Sequence, residues 1–251
     1  MIRVYTDPEA LSRAAAELFV LEARRAVASR GRFVVLLAGG ETPRRTYELL
    51  VTPPLRGRVP WAAVHLFWGD ERCVPPDDSR SNARMARQAL LDHVPVPPAQ
   101  IHPIPCNDSP RKAAGEYERL LRSFFPSGMP RFDLVFLGLG ENGHTASLFP
   151  GAAALRARKR WVSEVYVAEE GLCRVTLTAP AINQAALIAF LVTGASKAPV
   201  LKDVLEGSPH PLLLPARLIK LVEGELLWMV DREAARLLHP EKRDDCHGAL
   251  R

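Results

Sequence analysis

Cysteine is scarce. The 251 residues hold four, Cys73, Cys106, Cys173 and Cys246, widely spaced and in neither a Cys-x-x-Cys pair nor a His/Cys cluster of metal-ligand spacing. That pattern excludes a disulfide-built scaffold, so the four read as inert thiols and no metal is expected. Long apolar runs are also lacking. The opening MIRVYTDPEA shows no apolar stretch of signal-peptide length, and no later run approaches a membrane span. Cytoplasmic residence without membrane contact is the expectation. Aromatics make up 7%, and none interleaves with the one dense basic cluster, Arg156, Arg158, Lys159 and Arg160, as base stacking requires. The cluster reads as a solvated loop, and no nucleic-acid partner is expected. The formal net charge of +5 suits an anionic small molecule equally well. Mononucleotide and dinucleotide fingerprints and the Gly-x-Ser-x-Gly elbow are absent, so no cofactor and no covalent intermediate are expected.

What is present is a regular alternation. Asp7 can cap a helix with Pro8 at its first position, and the apolar spacing runs on to a stop at Gly31. FVVLLAGG (33–40) is a continuous β-branched run ending in glycines, the mark of a strand buried on both faces. Helical spacing resumes in TPRRTYELL. AAVHLFWGDER then reads as a strand running into a polar loop, SNARMARQALLDHV as a helix, and Ser109-Pro110 starts another helix with Ala113, Tyr117, Leu120, Leu121 and Phe124 on one face. FDLVFLGLG, RVTLTAP, ALIAFLVTG and ELLWMVD supply four more strands. The alternation predicts an α/β, Rossmann-like fold: a mostly parallel sheet with helices on both faces, in one domain over 1–240 with a flexible tail at 241–251.

In such a sheet, ligands bind outside the carboxyl ends of the strands. Four polar clusters fall there. Gly39 and Gly40, followed by Glu41, Thr42 and Pro43, let the backbone approach an anion at a helix N-terminus; the Glu41 carboxylate must then point away. Arg72, in Gly69-Asp70-Glu71-Arg72, is placed to hold a phosphate or to meet the oxygen of an attacked carbonyl. GLGENGHTASLFP (138–150) frames His144 with three glycines, and an imidazole can take a proton from water at neutral pH. Lys197, in Thr193-Gly194-Ala195-Ser196-Lys197, can supply a point charge to a phosphate.

Taken in order, AGGETP, GDER, GENGHTASLFP and GASKAPVLKDVLEG resemble the 6-phosphogluconolactonases, of the glucosamine/galactosamine-6-phosphate isomerase superfamily, over nearly the whole chain. The resemblance implies a Rossmann-like sheet and hydrolysis of 6-phospho-D-glucono-1,5-lactone to 6-phospho-D-gluconate in the oxidative pentose phosphate route. It places phosphate binding on Gly39, Gly40, Glu41, Thr42 and Lys197, a substrate-contacting arginine at Arg72 and the general base at His144. Two positions depart from the family pattern. Asn142 stands where aspartate is usual, leaving an orienting amide in place of a carboxylate, and Glu41 stands where a small hydroxyl residue is common. The related glucosamine-6-phosphate deaminase/isomerases follow the histidine with an Asn-Glu-Pro type sequence that supplies a carboxylate, whereas this chain has Leu148-Phe149-Pro150. A non-catalytic sugar-phosphate sensor is the remaining alternative. A sugar phosphate is thus the expected partner, and a monomer the expected state.

Overall fold

A computed structural model describes residues 1–106, 109–207, 211–242 and 244–245. Its helices are α1 (Pro8–Arg30), α2 (Glu41–Leu50), α3 (Leu55–Arg58), α4 (Asn82–Ala89), α5 (Pro110–Phe124), α6 (Ala179–Ile182), α7 (Ala198–Glu206) and α8 (Arg232–Ala235). The strands are β1 (Ile2–Tyr5), β2 (Phe33–Leu37), β3 (Val64–Trp68), β4 (Asp70–Arg72), β5 (Ile101–His102), β6 (Leu134–Leu137), β7 (Val162–Val167), β8 (Leu172–Leu177), β9 (Leu187–Val192), β10 (Glu225–Asp231) and β11 (Asp244–Asp245). Helix α1 has the ends its sequence predicts. The Asp7 carboxylate accepts the Ala10 N–H at 2.8 Å, and Gly31, at φ 72°, closes the other end in the left-handed conformation.

The central sheet runs in the order β11-β1-β10-β9-β6-β2-β3-β5 with every neighbouring pair parallel. Helices pack around it. All five residues of β2 are buried, as the unbroken FVVLL run implies. Phe190 and Trp228, opposite each other across β9 and β10, stack with ring centroids 3.9 Å apart.

One strand departs from expectation. RVTLTAP forms β8, but not within the parallel sheet: it pairs antiparallel with β4 and β7 in a separate three-stranded sheet. Gly171, at φ 61°, turns β7 straight back onto β8, and strands joined by a tight turn are antiparallel by construction. Strands β1, β5, β7 and β11 are additional to those read from the sequence, and β4 forms where a polar loop was expected. Of the tail taken to begin at 241, Pro240–Lys242 form a 3-10 turn and Asp244–Asp245 pair with β1; residues 246–251, with Cys246, lie outside the described residues. No helix among the described residues is long and apolar enough to cross a membrane.

Two fully buried tyrosines finish the strand ends that face the site. The Tyr47 hydroxyl accepts the Ala38 N–H and donates to the Ala38 carbonyl, both at 3.0 Å, just past β2; Tyr117 does the same for Trp68 at the end of β3. Each satisfies a backbone pair that has run out of ladder partners. From β2 the chain steps outward to β3 and β5, then returns to the other side of β2 at β6. The switch point therefore lies between the carboxyl ends of β2 and β6, where a crevice must open.

Acid should weaken this fold. His65 on β3 and His102 on β5 stand with ring nitrogens 3.3 Å apart among Phe67 and Phe124. Burial lowers both from the usual histidine range, His102 to about 4. A histidine depressed in the folded state binds protons more readily once unfolded. Stability is therefore whole above the unfolded value near 6.5 and falls as pH drops toward 4. Thermal midpoints should decline across that window, and His102→Gln should flatten the decline; an unchanged slope would show that the pair does not set it.

Candidate active site

The crevice at the switch point is a cavity of about 360 Å³, and Gly39 to Thr42, Arg72, His144, Arg174 and Lys197 all line it. Four segments remote in sequence thus meet as the strand-end reasoning expects.

At the end of β2, Gly40 takes φ 102°, which favours glycine, and α2 starts at the next residue. A methyl group on Gly39 would lie 2.0 Å from Asn82 Oδ1, so glycine is required for that side chain to fit. The Glu41 carboxylate is 91% exposed and lies 3.8 Å from Arg44. It leaves the first-turn N–H groups to the cavity. Thr42 Oγ1 meets Thr193 Oγ1 at 2.8 Å, joining the first turn of α2 to the loop after β9. Asp231 accepts the Gly194 N–H at 3.1 and 3.0 Å and holds the start of the segment that carries Lys197. Lys197 Nζ lies 3.7 Å from Glu141.

Arg72 ends β4. Its Nη1 donates to the Arg80 carbonyl at 2.6 Å, while Nε is buried with no hydrogen-bond partner among the described residues. Arg72 also lines the cavity, where its guanidinium presents positive charge to an anionic ligand.

His144 sits on a tightly folded loop. The Gly140 N–H donates to the His144 carbonyl at 2.8 Å, Gly143 has φ 77°, and Ala146 is held at φ 47°, a strained conformation for a residue with a side chain. Asn142 Oδ1 accepts the His144 backbone N–H at 3.2 Å and stands 2.6 Å from Nδ1. An atom that accepts the backbone N–H is the amide oxygen, so Nδ1 carries the ring proton and Nε2 keeps its lone pair. The imidazole stacks on Phe149 at 4.2 Å. Burial pushes it down to about 4; Asp70 acts against burial, and Arg174 and Lys197 reinforce it. The ring is thus a neutral base at physiological pH.

The sequence reading missed the network beneath this ring. Asp70, 6% exposed, accepts the Ser147 hydroxyl at 2.6 Å and the Asn82 amide at 3.3 Å, with Arg174 Nη1 at 3.7 Å. Arg174, 5% exposed, also pairs with Glu170, and its guanidinium lies 5.2 Å from the Phe149 ring centre. The available signal was a charged residue inside the apolar alternation of LCRVTL. Among the described residues no group of three or more His, Cys, Asp or Glu side chains is placed to hold a metal ion.

Residues 6–228 match the model of the glucosamine-6-phosphate isomerases/6-phosphogluconolactonase family. The chain belongs to this family. Among its relatives, a 6-phosphogluconolactonase of Nostoc sp. is 40% identical over 237 residues, covering 93% of this chain and 96% of that protein. One of Synechocystis sp. is 43% identical over 220 residues, covering 86% and 89%. The solved structure of 6-phosphogluconolactonase from Trypanosoma brucei superposes with a TM-score of 0.84 at 32% identity, covering 95% of this chain and 98% of that one. Within this family match, the GENGHTASLFP loop of this chain has Asn142 hydrogen-bonded to its histidine.

Proposed function

We propose that this chain hydrolyses 6-phospho-D-glucono-1,5-lactone to 6-phospho-D-gluconate, with His144 as general base. The carrying observation is the neutral, oriented imidazole: Nδ1 is committed to Asn142, and Nε2 is free to take a proton in the cavity. The first-turn N–H groups of α2 at Glu41 and Thr42, with Lys197, hold the phosphate. Water adds to the lactone carbonyl as Nε2 removes its proton, and the tetrahedral intermediate expels the ring oxygen, which regains that proton from the imidazolium. Arg72 presents its guanidinium charge to a substrate oxygen, on the phosphate or on the attacked carbonyl. Arg174 acts indirectly, bracing the Phe149 ring against which His144 stacks.

The deaminase/isomerase reading needs a carboxylate just after the histidine loop, and Phe149 fills that position with a ring stacked on the imidazole. Single-domain organisation over 1–240 is supported by one hydrophobic core that spans Val4 to Leu238; action on a free sugar phosphate, as a cytoplasmic monomer without nucleic acid, belongs to the same proposal. The deciding assay follows acid release from freshly generated lactone, corrected for spontaneous hydrolysis, with glucosamine 6-phosphate turnover in parallel. Lactone loss no faster than in buffer refutes the proposal, and ammonia release replaces it with the isomerase.

Lys197→Ala should raise KM, and the inhibition constants of simple sugar phosphates, by about tenfold, with kcat little changed, the loss of one charge-assisted contact. Unchanged constants would leave the phosphate to the α2 amides alone. Asn142→Asp should raise the pKa of His144 and move the acid limb of kcat/KM upward from near 4, by about 0.5 to 1 unit given the exposure of residue 142. Below that limb the variant is slower, because a larger fraction of the base is protonated. A limb that stays in place would show that residue 142 orients the ring without tuning its charge.

A further inference from the structure

The fold gathers three of the four widely spaced cysteines into one place. Cys73 follows β4, Cys106 lies beyond the edge strand β5, and Cys173 sits on β8 with its carbonyl accepting the Cys73 N–H at 2.9 Å. Cys73 Sγ and Cys106 Sγ are 2.7 Å apart. A disulfide bond is about 2.05 Å long, so a shift of roughly two thirds of an ångström would join them. All three cysteines are only partly buried. Cys106 also lines a cavity of about 330 Å³ together with Arg72, Pro103 and Pro105, which gives a small oxidant a route to the pair.

We propose that Cys73 and Cys106 are a reversible dithiol–disulfide site, oxidised by peroxide, that clamps the Arg72 strand end to the edge of the central sheet. The two thiols have different roles. The Cys106 S–H hydrogen-bonded to Cys73 holds the Cys73 thiol below its ordinary range, against the opposing effect of burial, while Cys106 is held above its own. Cys73 is therefore the thiolate that attacks. Its sulfur takes one oxygen of the peroxide, the O–O bond breaks, and the other oxygen leaves as water; Cys73 is now a sulfenic acid. Cys106 sulfur then attacks Cys73 sulfur, the S–O bond breaks, and a second water leaves with the Cys106 proton. The pair has lost two electrons and two hydrogens, and the peroxide has been reduced to two waters. A dithiol reductant reverses the step by exchange through a mixed disulfide.

The bridge would connect chain positions on either side of α4. Arg72, one residue before Cys73, would be fixed from β4 on one side and from the 103–106 segment on the other. Cys173 is the internal control. It neighbours the pair through its backbone carbonyl, which accepts the Cys73 N–H, and it takes no part in the Cys73–Cys106 sulfur contact.

The test uses the full chain and requires no turnover. Reduced protein is treated with hydrogen peroxide, remaining thiols are alkylated, and peptides are mapped by mass spectrometry without reduction. Two thiols should disappear, a Cys73–Cys106 crosslinked peptide should appear, and dithiothreitol should restore both. The thermal midpoint should rise by about 5 °C or more on oxidation, because the bridge restricts the unfolded chain. That rise should vanish in Cys106→Ser and persist in Cys173→Ser. Both cysteines still alkylated after peroxide, a crosslink through Cys173, or sulfinic acid at Cys73 without a bridge would each overturn the proposal. A mapped bridge with an unchanged midpoint would overturn the clamp.

Discussion

His144→Ala is expected to lower kcat by about 100-fold or more, the usual worth of a positioned general base, while binding of 6-phosphogluconate stays within about twofold. The separation follows from the layout of the cavity. The phosphate is assigned to the loop after β2 and to Lys197, whereas His144 stands on the loop after β6 across the switch point. Removing the imidazole deletes proton transfer without touching the anion contacts. The variant's kcat comes from lactone hydrolysis after subtraction of the spontaneous rate, and its affinity from calorimetry with the product acid. Full activity would remove His144 from the mechanism. Parallel losses in kcat and affinity would make the histidine a binding residue.

Gly140→Ala should be nearly as damaging although it removes no functional atom. A methyl group there would stand 2.0 Å from His144 Nδ1 and 2.1 Å from Cε1, so the ring must leave its place and its hydrogen bond to Asn142. Gly140 is not in the left-handed region, and alanine is tolerated by its backbone. The damage is confined to the position of the base. Misplacing a catalytic group by about 1 Å costs on the order of 100-fold, so kcat should fall by about 30-fold or more. Gly138→Ala is the matched control, since nothing lies within 4 Å of a methyl group at that position; its activity should stay within about twofold. Equal activities for the two variants would mean that the loop relaxes around the added methyl.

The parts of this fold that could be read from the sequence are those whose signals are local. A capping aspartate, a proline and a terminal glycine delimit α1 within a few residues, and FVVLL is a buried strand whichever strands flank it. The glycine-rich strand ends likewise announce the site, because a parallel sheet brings all its carboxyl ends to one edge. Pairing partners are not local information. RVTLTAP has the alternation of a strand, but its membership in a second sheet depends on the hairpin with β7, whose own residues, VSEVYV, were not singled out. β1 is four residues long and gains its meaning only beside β10. The same limit applied to the site. Asp70 and Arg174 stand far apart in the chain and are understood only as a buried pair beneath the Phe149 ring, and spacing along the chain gives no hint that Cys73 and Cys106 touch.

Glu71, 3% exposed, accepts the backbone N–H groups of Arg72, Asn82 and Ala83 at 2.7, 2.8 and 2.7 Å and the Ser81 hydroxyl at 3.1 Å. One carboxylate thereby ties both feet of the excursion from Arg72 to Ser81 together at its neck. The cost of closing that loop is met at the neck, and lengthening the span between grows the closure entropy only logarithmically. The tip around Pro75 to Ser79 is consequently free to gain or lose residues while Arg72 stays where it is. A graft at that tip should reshape the neighbouring pocket that Ser79 lines with Gly40, Glu41 and Arg72, without retuning the chemistry around His144.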